Sequence, residues 1–191
     1  MEHLKNHSGE NSTLVLRPAD AQETTVAWQL AIENTSTPTA LILSRQNIKD
    51  LPSKGNRYEE AKQAGKGAYT VEECENPDVI LVASGSEVAS LVEGALLLRE
   101  RDGLGVRIVS APSEGLFREQ DKAYQESVLP VSIPKFGLTA GLPVTLRGLV
   151  GDSGAIWGLS SFGFSAPYDI LDQQLGFTAE NIYNQVKALL T

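Results

Sequence analysis

Val79-Ile80-Leu81-Val82-Ala83-Ser84-Gly85-Ser86-Glu87 is the stretch on which the fold turns. Its consecutive apolar residues, three of them β-branched, make a strand covered on both faces. Ser84-Gly85-Ser86 supplies a tight turn, and Glu87 opens a helical period in which Val88, Leu91, Val92, Ala95 and Leu98 share one face up to Arg101. Gly103 and Gly105 stop that helix, and Val106-Arg107-Ile108-Val109-Ser110 is the next strand. Strand, helix, strand in about thirty residues is a βαβ crossover, so the two strands run parallel.

The alternation continues downstream. Residues 114–127 have a helical pattern, broken by Leu129-Pro130, and Phe136-Gly137-Leu138-Thr139 is a strand. Residues 142–149 form a short helix interrupted by Pro143 and Gly148, Ile156–Leu159 is a strand, and Pro167–Gln174 a helix capped by Gly176. A last helix runs from Thr178 to Leu190. The expectation is a three-layer α/β/α domain over residues 76–191, with a mostly parallel sheet.

Upstream the pattern starts afresh. Residues 13–17 read as a short strand closed by Pro18. Asp20 is an N-cap with Glu23 completing a capping box, and Val26, Ala27, Leu30 and Ala31 place a helix over 21–33. Thr39–Ser44 is a second strand. This βαβ unit, residues 1–50, leaves a sheet face and both edges uncovered, so it is a remnant of a second α/β domain. Residues 51–75 carry no apolar face and read as a linker, with an isolated strand over 69–73 near its end.

A length of 191 residues allows one domain, or one and a fraction. With 41% apolar and 21% charged residues the chain is neither disordered nor fibrous. The 16 Lys and Arg against 24 Asp and Glu give a net charge of −8, which disfavours nucleic acid and anionic membrane surfaces as partners. Cys74 stands alone, and the two histidines, His3 and His7, lie in a polar N-terminal stretch, so no zinc spacing or histidine-based triad is available. No apolar run reaches the roughly 20 residues a membrane span needs, and Met1–His7 lacks the apolar core of a signal peptide, which makes the cytoplasm the expected compartment.

Two places could hold an anion. Arg45 follows the second strand, at the carboxyl end where open α/β sheets gather ligands, and its fork suits phosphate or carboxylate; the alternative is pairing with an acidic neighbour. Ser84-Gly85-Ser86 could offer backbone N–H groups and a hydroxyl at a helix N-terminus, though Ser86 reads equally as a plain N-cap and Glu87 would repel an anion. Gly148, Gly151 and Gly154 follow no phosphate-loop pattern and read as turns. Asp152-Ser153 offers no Gly-Asp-Gly motif for a diphosphate-bound ion, and Asp121, Glu126, Asp169 and Asp172 form no acid/base couple. The residues alone yield one α/β module and no catalytic set.

Six segments, in order, resemble the C-terminal part of the transketolase family. They are Leu16-Arg17-Pro18-Ala19-Asp20 with Ala27-Trp28 and Pro38–Gln46; Ala83–Val88; Val109–Ser113; Tyr124–Pro130; Phe162-Gly163-Phe164-Ser165-Ala166-Pro167; and Gly176-Phe177-Thr178. The likeness runs from about Glu2 to Leu190. It implies that residues 1–50 close the family's pyrimidine-binding domain and 76–191 form its C-terminal domain. It further implies transfer of a two-carbon ketol unit between sugar phosphates in the pentose phosphate pathway, with thiamine diphosphate and a divalent ion such as Mg²⁺ held between the subunits of a homodimer. Arg45 matches the arginine that contacts the sugar phosphate in that family. The glutamate that activates the cofactor, the aromatic residue that stacks on it and the active-site histidines have no counterpart here, so the resemblance implies a fragment that needs the N-terminal portion and is inert alone. Leu138-Thr139-Ala140-Gly141 departs from the family's acidic pattern at that place. A stand-alone anion- or small-molecule-binding module, a subunit of a split transketolase and a sister thiamine enzyme are the other readings.

Overall fold

The computed structural model describes Gly9 and residues 11–191; His3 and His7 lie outside the described residues. Strand β4 (Val79–Ala83) is buried along its whole length. Its side chains alternate between two cores: Val79, Leu81 and Ala83 join one, Ile80 and Val82 the other. The first core takes its helical side from α3 (Glu87–Asp102) and α8 (Ala179–Leu190) through Val88, Leu91, Ala95, Leu98, Ile182 and Val186. The second is closed by α4 (Glu114–Glu119), α5 (Lys122–Val128) and α6 (Arg147–Val150) through Phe117, Val128, Leu149 and Val150. This is the expected three-layer α/β/α arrangement.

The main sheet has five strands in the order β3-β5-β4-β6-β7, with β3 at Tyr69–Glu72, β5 at Val106–Ser110, β6 at Lys135–Thr139 and β7 at Ala155–Gly158. The pairs β4–β5, β4–β6 and β6–β7 are parallel and β3–β5 is antiparallel. The chain leaves β4 towards β5 on one side and later returns to β6 on the other. The carboxyl ends of β4 and β6 therefore form the switch point of the sheet. A second sheet pairs β1 (Leu14–Leu16) with β2 (Thr39–Leu41) in parallel, joined by α1 (Ala21–Glu33).

Where α3 meets α8, a methyl group on Gly94 would lie 2.5 Å from Ile182 Cγ2 and 2.9 Å from its Cβ. The contact involves the branch point of a fully buried side chain, which has nowhere to swing. Gly94→Ala is expected to destabilise the protein by about 1–3 kcal/mol through overpacking, despite alanine's better helix propensity, read as a lower midpoint in thermal unfolding. An unchanged or higher midpoint would mean that the two helices are free to separate.

The structure corrects the sequence reading at several points. The second strand stops at Leu41 rather than Ser44. Its last ladder bond runs from Ile42 N–H to Leu16 O, because the next residue of the neighbouring strand, Arg17, gives its N–H to Pro112 O and receives Gly85 N–H instead. The helix expected over 114–127 breaks at Gln120, and Asp121 starts α5 by accepting the Tyr124 N–H at 2.7 Å. Residues 143–150 form a 3₁₀ turn, Pro143–Leu146, that runs into α6.

The stretch 51–75, read as a linker without an apolar face, is folded. Asn56 caps α2 (Arg57–Ala61), a 3₁₀ turn follows over Lys62–Lys66, and Ala61, Ala64 and Tyr69 pack with Val26 of α1. The strand expected to stand isolated near its end is β3, the antiparallel edge of the main sheet. The final helices, α7 (Tyr168–Leu175) and α8, fall where the periodicity puts them.

Candidate functional site at the strand ends

Arg17 leaves the end of β1 and projects into the Ser84-Gly85-Ser86 turn. Its Nη1 donates to Ser84 O at 2.6 Å and to Ser84 Oγ at 3.3 Å; its Nη2 donates to both oxygens of Glu87, each at 2.7 Å. Gly85 makes room for this side chain. Its φ is +67°, and a methyl group there would fall 2.8 Å from the guanidinium carbon of Arg17. Glu87 also accepts the Ala140 N–H at 2.6 Å, so its carboxylate bridges the carboxyl ends of β4 and β6. With only 4% of its side chain exposed, Glu87 is a buried carboxylate held by Arg17 Nη2 and a backbone donor.

The Ser84–Ser86 turn is thus occupied by the protein's own groups. Ser86 makes no side-chain cap bond; its hydroxyl donates to Glu87 Oε2 at 3.1 Å. The plain N-cap reading of Ser86 fails, since Ser86 already has helical backbone angles that aim its side chain away from the first N–H groups. Beside the Arg17–Glu87 pair lies a cleft of about 400 Å³ between the two sheets, lined among others by Val15, Ile42, Thr139 and Thr145.

Arg45 stands beyond β2, exposed, with no hydrogen bond or ion pair to any described residue. The alternative that it pairs with an acidic neighbour is not what the structure shows. Both flanks of Arg45 are held. On one side lies the Ile42–Leu16 bond; on the other, Lys49 pairs with Glu93 of α3 at 2.9 Å and Leu51 N–H donates to Asp20 Oδ2 at 3.1 Å. The residues that follow Arg45, Gln46–Lys49, line a second cleft with Ser86, Glu87, Ala89 and Ser90 of the first turns of α3.

A buried ionic cluster stands behind the site. Asp20 caps α1 through the Glu23 N–H at 2.8 Å, and its other oxygen accepts Arg57 Nε at 2.7 Å. Glu23 accepts from Ala19 N, Tyr69 OH and Arg57 Nη2. Burial pushes the Glu23 carboxyl above its ordinary range, opposed by the hydrogen bonds it accepts. Burial, then the neighbouring Glu23, likewise keeps the Tyr69 phenol protonated.

The other sequence candidates have structural places. Gly148 sits under the Glu114–Arg118 pair, and Gly154 packs on Val150. Glu126 accepts the Val131 N–H. Asp172 has its carboxyl raised by burial and by Glu87, Asp169 and Glu93. Among the described residues no group of three or more His, Cys, Asp or Glu could hold a metal ion. No helix among them is long and apolar enough to cross a membrane.

Two arginines, Arg17 within this site and Arg57 behind it, carry no local signal that singles them out in the sequence. Their partners Glu87 and Asp20 lie 70 and 37 residues away, beyond any local pattern.

A family model described as the transketolase-like TK C-terminal domain matches residues 67–178. The chain belongs to the transketolase family. Transketolase from Staphylococcus aureus (strain MW2) is 45% identical over 177 residues, covering 92% of this chain and 26% of the relative. Among solved structures, transketolase from Leishmania mexicana aligns with a TM-score of 0.84 and 35% identity, over 94% of this chain and 25% of that one. A Pichia stipitis transketolase in complex with sedoheptulose 7-phosphate aligns at 0.85 and 32%, with the same coverage. The chain spans about a quarter of the length of these transketolases, and the likeness extends across both of its sheets.

Proposed function

We propose that the chain works as the C-terminal part of a cytoplasmic, homodimeric transketolase of the pentose phosphate pathway, and that its own contribution is to hold the phosphate end of the sugar substrates. The observation that carries this is Arg45: a guanidinium with no partner among the described residues, at the carboxyl end of a parallel strand, on a segment anchored at both ends. A fork of that kind grips a phosphate through two parallel hydrogen bonds. The Pichia stipitis relative, crystallised with a sugar phosphate, supports a substrate of this class.

Thiamine diphosphate and a divalent ion such as Mg²⁺ belong to the whole enzyme in this reading. The described residues do not fit them: no acidic or histidine cluster among them is placed to hold a metal, and the glycines at 148 and 154 are packed against neighbouring side chains. No step of the reaction is assigned to this chain through that cofactor. The partners are sugar phosphates, the N-terminal portion found in full-length family members, and a second subunit; nucleic acid and membrane have no place in it. The stand-alone anion-binding module has less support, since Arg17 and Glu87 fill the Ser84–Ser86 turn on which it would rest.

Calorimetry and a ketol-transfer assay test the reading. The purified chain is expected to show neither micromolar binding of thiamine diphosphate with Mg²⁺ nor turnover. The full-length protein is expected to move a two-carbon unit from a ketose phosphate to an aldose phosphate. Turnover by the chain alone, or none by the full-length protein, would overturn it.

A further inference from the structure

We infer that Glu87 and Arg17 are positioning residues for Arg45: their clasp couples the main sheet to the strand end that presents the phosphate-binding guanidinium. The inference rests on the Arg45 reading above and extends it to residues that never meet the substrate.

The coupling runs through both flanks of Arg45. Arg17 is fixed by its side chain on Ser84 and Glu87 and by its backbone, which gives its N–H to Pro112 O at 2.8 Å and receives Gly85 N–H at 3.0 Å. The residue before it, Leu16, holds Ile42 at 2.9 Å, and Ile42 is the last ladder contact before the segment that carries Arg45. On the far side, Gln46–Lys49 face the first turns of α3, Glu87 among them, across a cleft, and Lys49 pairs with Glu93 of the same helix at 2.9 Å. One buried carboxylate therefore holds the near approach to Arg45 through Arg17 and helps line the cleft under the far one, and its own place is set by the Ala140 N–H at the end of β6. Loosening it frees the strand end to move by a fraction of an ångström or more, and displacements of about 1 Å in a positioning element cost up to about 100-fold in rate.

The test is a kinetic double-mutant cycle in the full-length protein, using one phosphorylated ketose and its non-phosphorylated analogue as donors. Glu87→Gln is the lead variant, because it keeps an acceptor for Ala140 and leaves the partly exposed Arg17 able to reach water. It is expected to lower kcat/KM for the phosphorylated donor by roughly 10- to 100-fold and to leave the analogue nearly unchanged. The loss should disappear when Arg45 is already alanine, since the two then act as one unit. Arg17→Lys, which keeps the charge but not the fork, should give a smaller loss of the same selectivity and serves if Glu87→Gln does not fold. Equal losses on both donors, or losses that add in full to those of Arg45→Ala, would overturn the positioning role while leaving Arg45 intact. An Arg45→Ala variant without donor selectivity would instead remove the reading on which the inference rests, and the inference with it.

Discussion

Replacing Arg57 by alanine is expected to destabilise the chain by about 3–5 kcal/mol, a large part of the 5–15 kcal/mol that holds a typical domain together. Asp20 and Glu23 are fully buried, and Arg57 is the cation both of them touch, at 2.7 and 3.3 Å. It also donates to Tyr69 OH at 2.7 Å, so one side chain ties α1 to α2 and to the edge of the main sheet. Without it two carboxylates stay buried with no positive charge beside them, which is why breaking such a cluster costs more than forming it gained.

The sign of the pH dependence follows. Burial already pushes the Glu23 carboxyl up, and removing the guanidinium pushes it further. The folded variant then binds more protons than its unfolded chain, so its deficit should shrink as pH falls from about 8 towards about 5. Urea unfolding followed at Trp28 of α1 and at Trp157 of β7 in single-tryptophan backgrounds measures both effects. A loss below about 1 kcal/mol, or a deficit that grows on acidification, would show that the carboxylates find water instead.

Arg45→Ala is the second large effect, and it falls on function. Arg45 is exposed and bonded to no described residue, so its removal should leave stability within about 0.5 kcal/mol. In the full-length protein a lost charge-assisted contact of about 1.5–3 kcal/mol lowers kcat/KM for phosphorylated substrates by roughly 10- to 150-fold. A non-phosphorylated ketol donor should be hardly affected. If part of the phosphate's binding energy positions the reacting carbonyl, kcat falls together with the rise in KM. Equal losses on both donors would mean that Arg45 serves the fold.

Local signals in the sequence carried much of the architecture. The apolar run Val79–Ala83 could only be a strand covered on both faces, and it is the centre of the sheet. Asp20 and Glu23 announced a capped helix, and Asp20 does accept the Glu23 N–H. What was not legible depends on partners far along the chain. Residues 57–66 lack an apolar face of their own; they are ordered by Arg57 reaching the buried carboxylates of α1 and by Ala61 and Ala64 filling space beside Val26. The second strand was read too long because its apolar run continues to Leu43, whereas the ladder ends where Arg17 turns its backbone to the other sheet. Glu87 read as a residue that repels anions, and it proved to be the carboxylate that fills the turn. That Arg45 follows the second strand was legible because order along the chain is a local fact, although the strand itself ends at Leu41.

The exposed apolar side chains of the first βαβ unit also agree with a chain that spans a quarter of its relatives. Ile32 is 75% exposed and Trp28 53%, although both lie on α1, and Ile42 and Leu43 stand half-exposed after β2. The Arg57 cluster and the Arg17–Glu87 clasp hold this unit against the main sheet on its other side.

The claim that this strand end faces the phosphate of a sugar substrate is tested most directly by a crystal structure of the full-length protein with a ketose phosphate bound. Both terminal nitrogens of Arg45 are expected at about 2.7–2.9 Å from phosphate oxygens, with the segment 42–51 still anchored at Leu16 and Asp20. A phosphate seated elsewhere, with Arg45 turned to solvent, would contradict it.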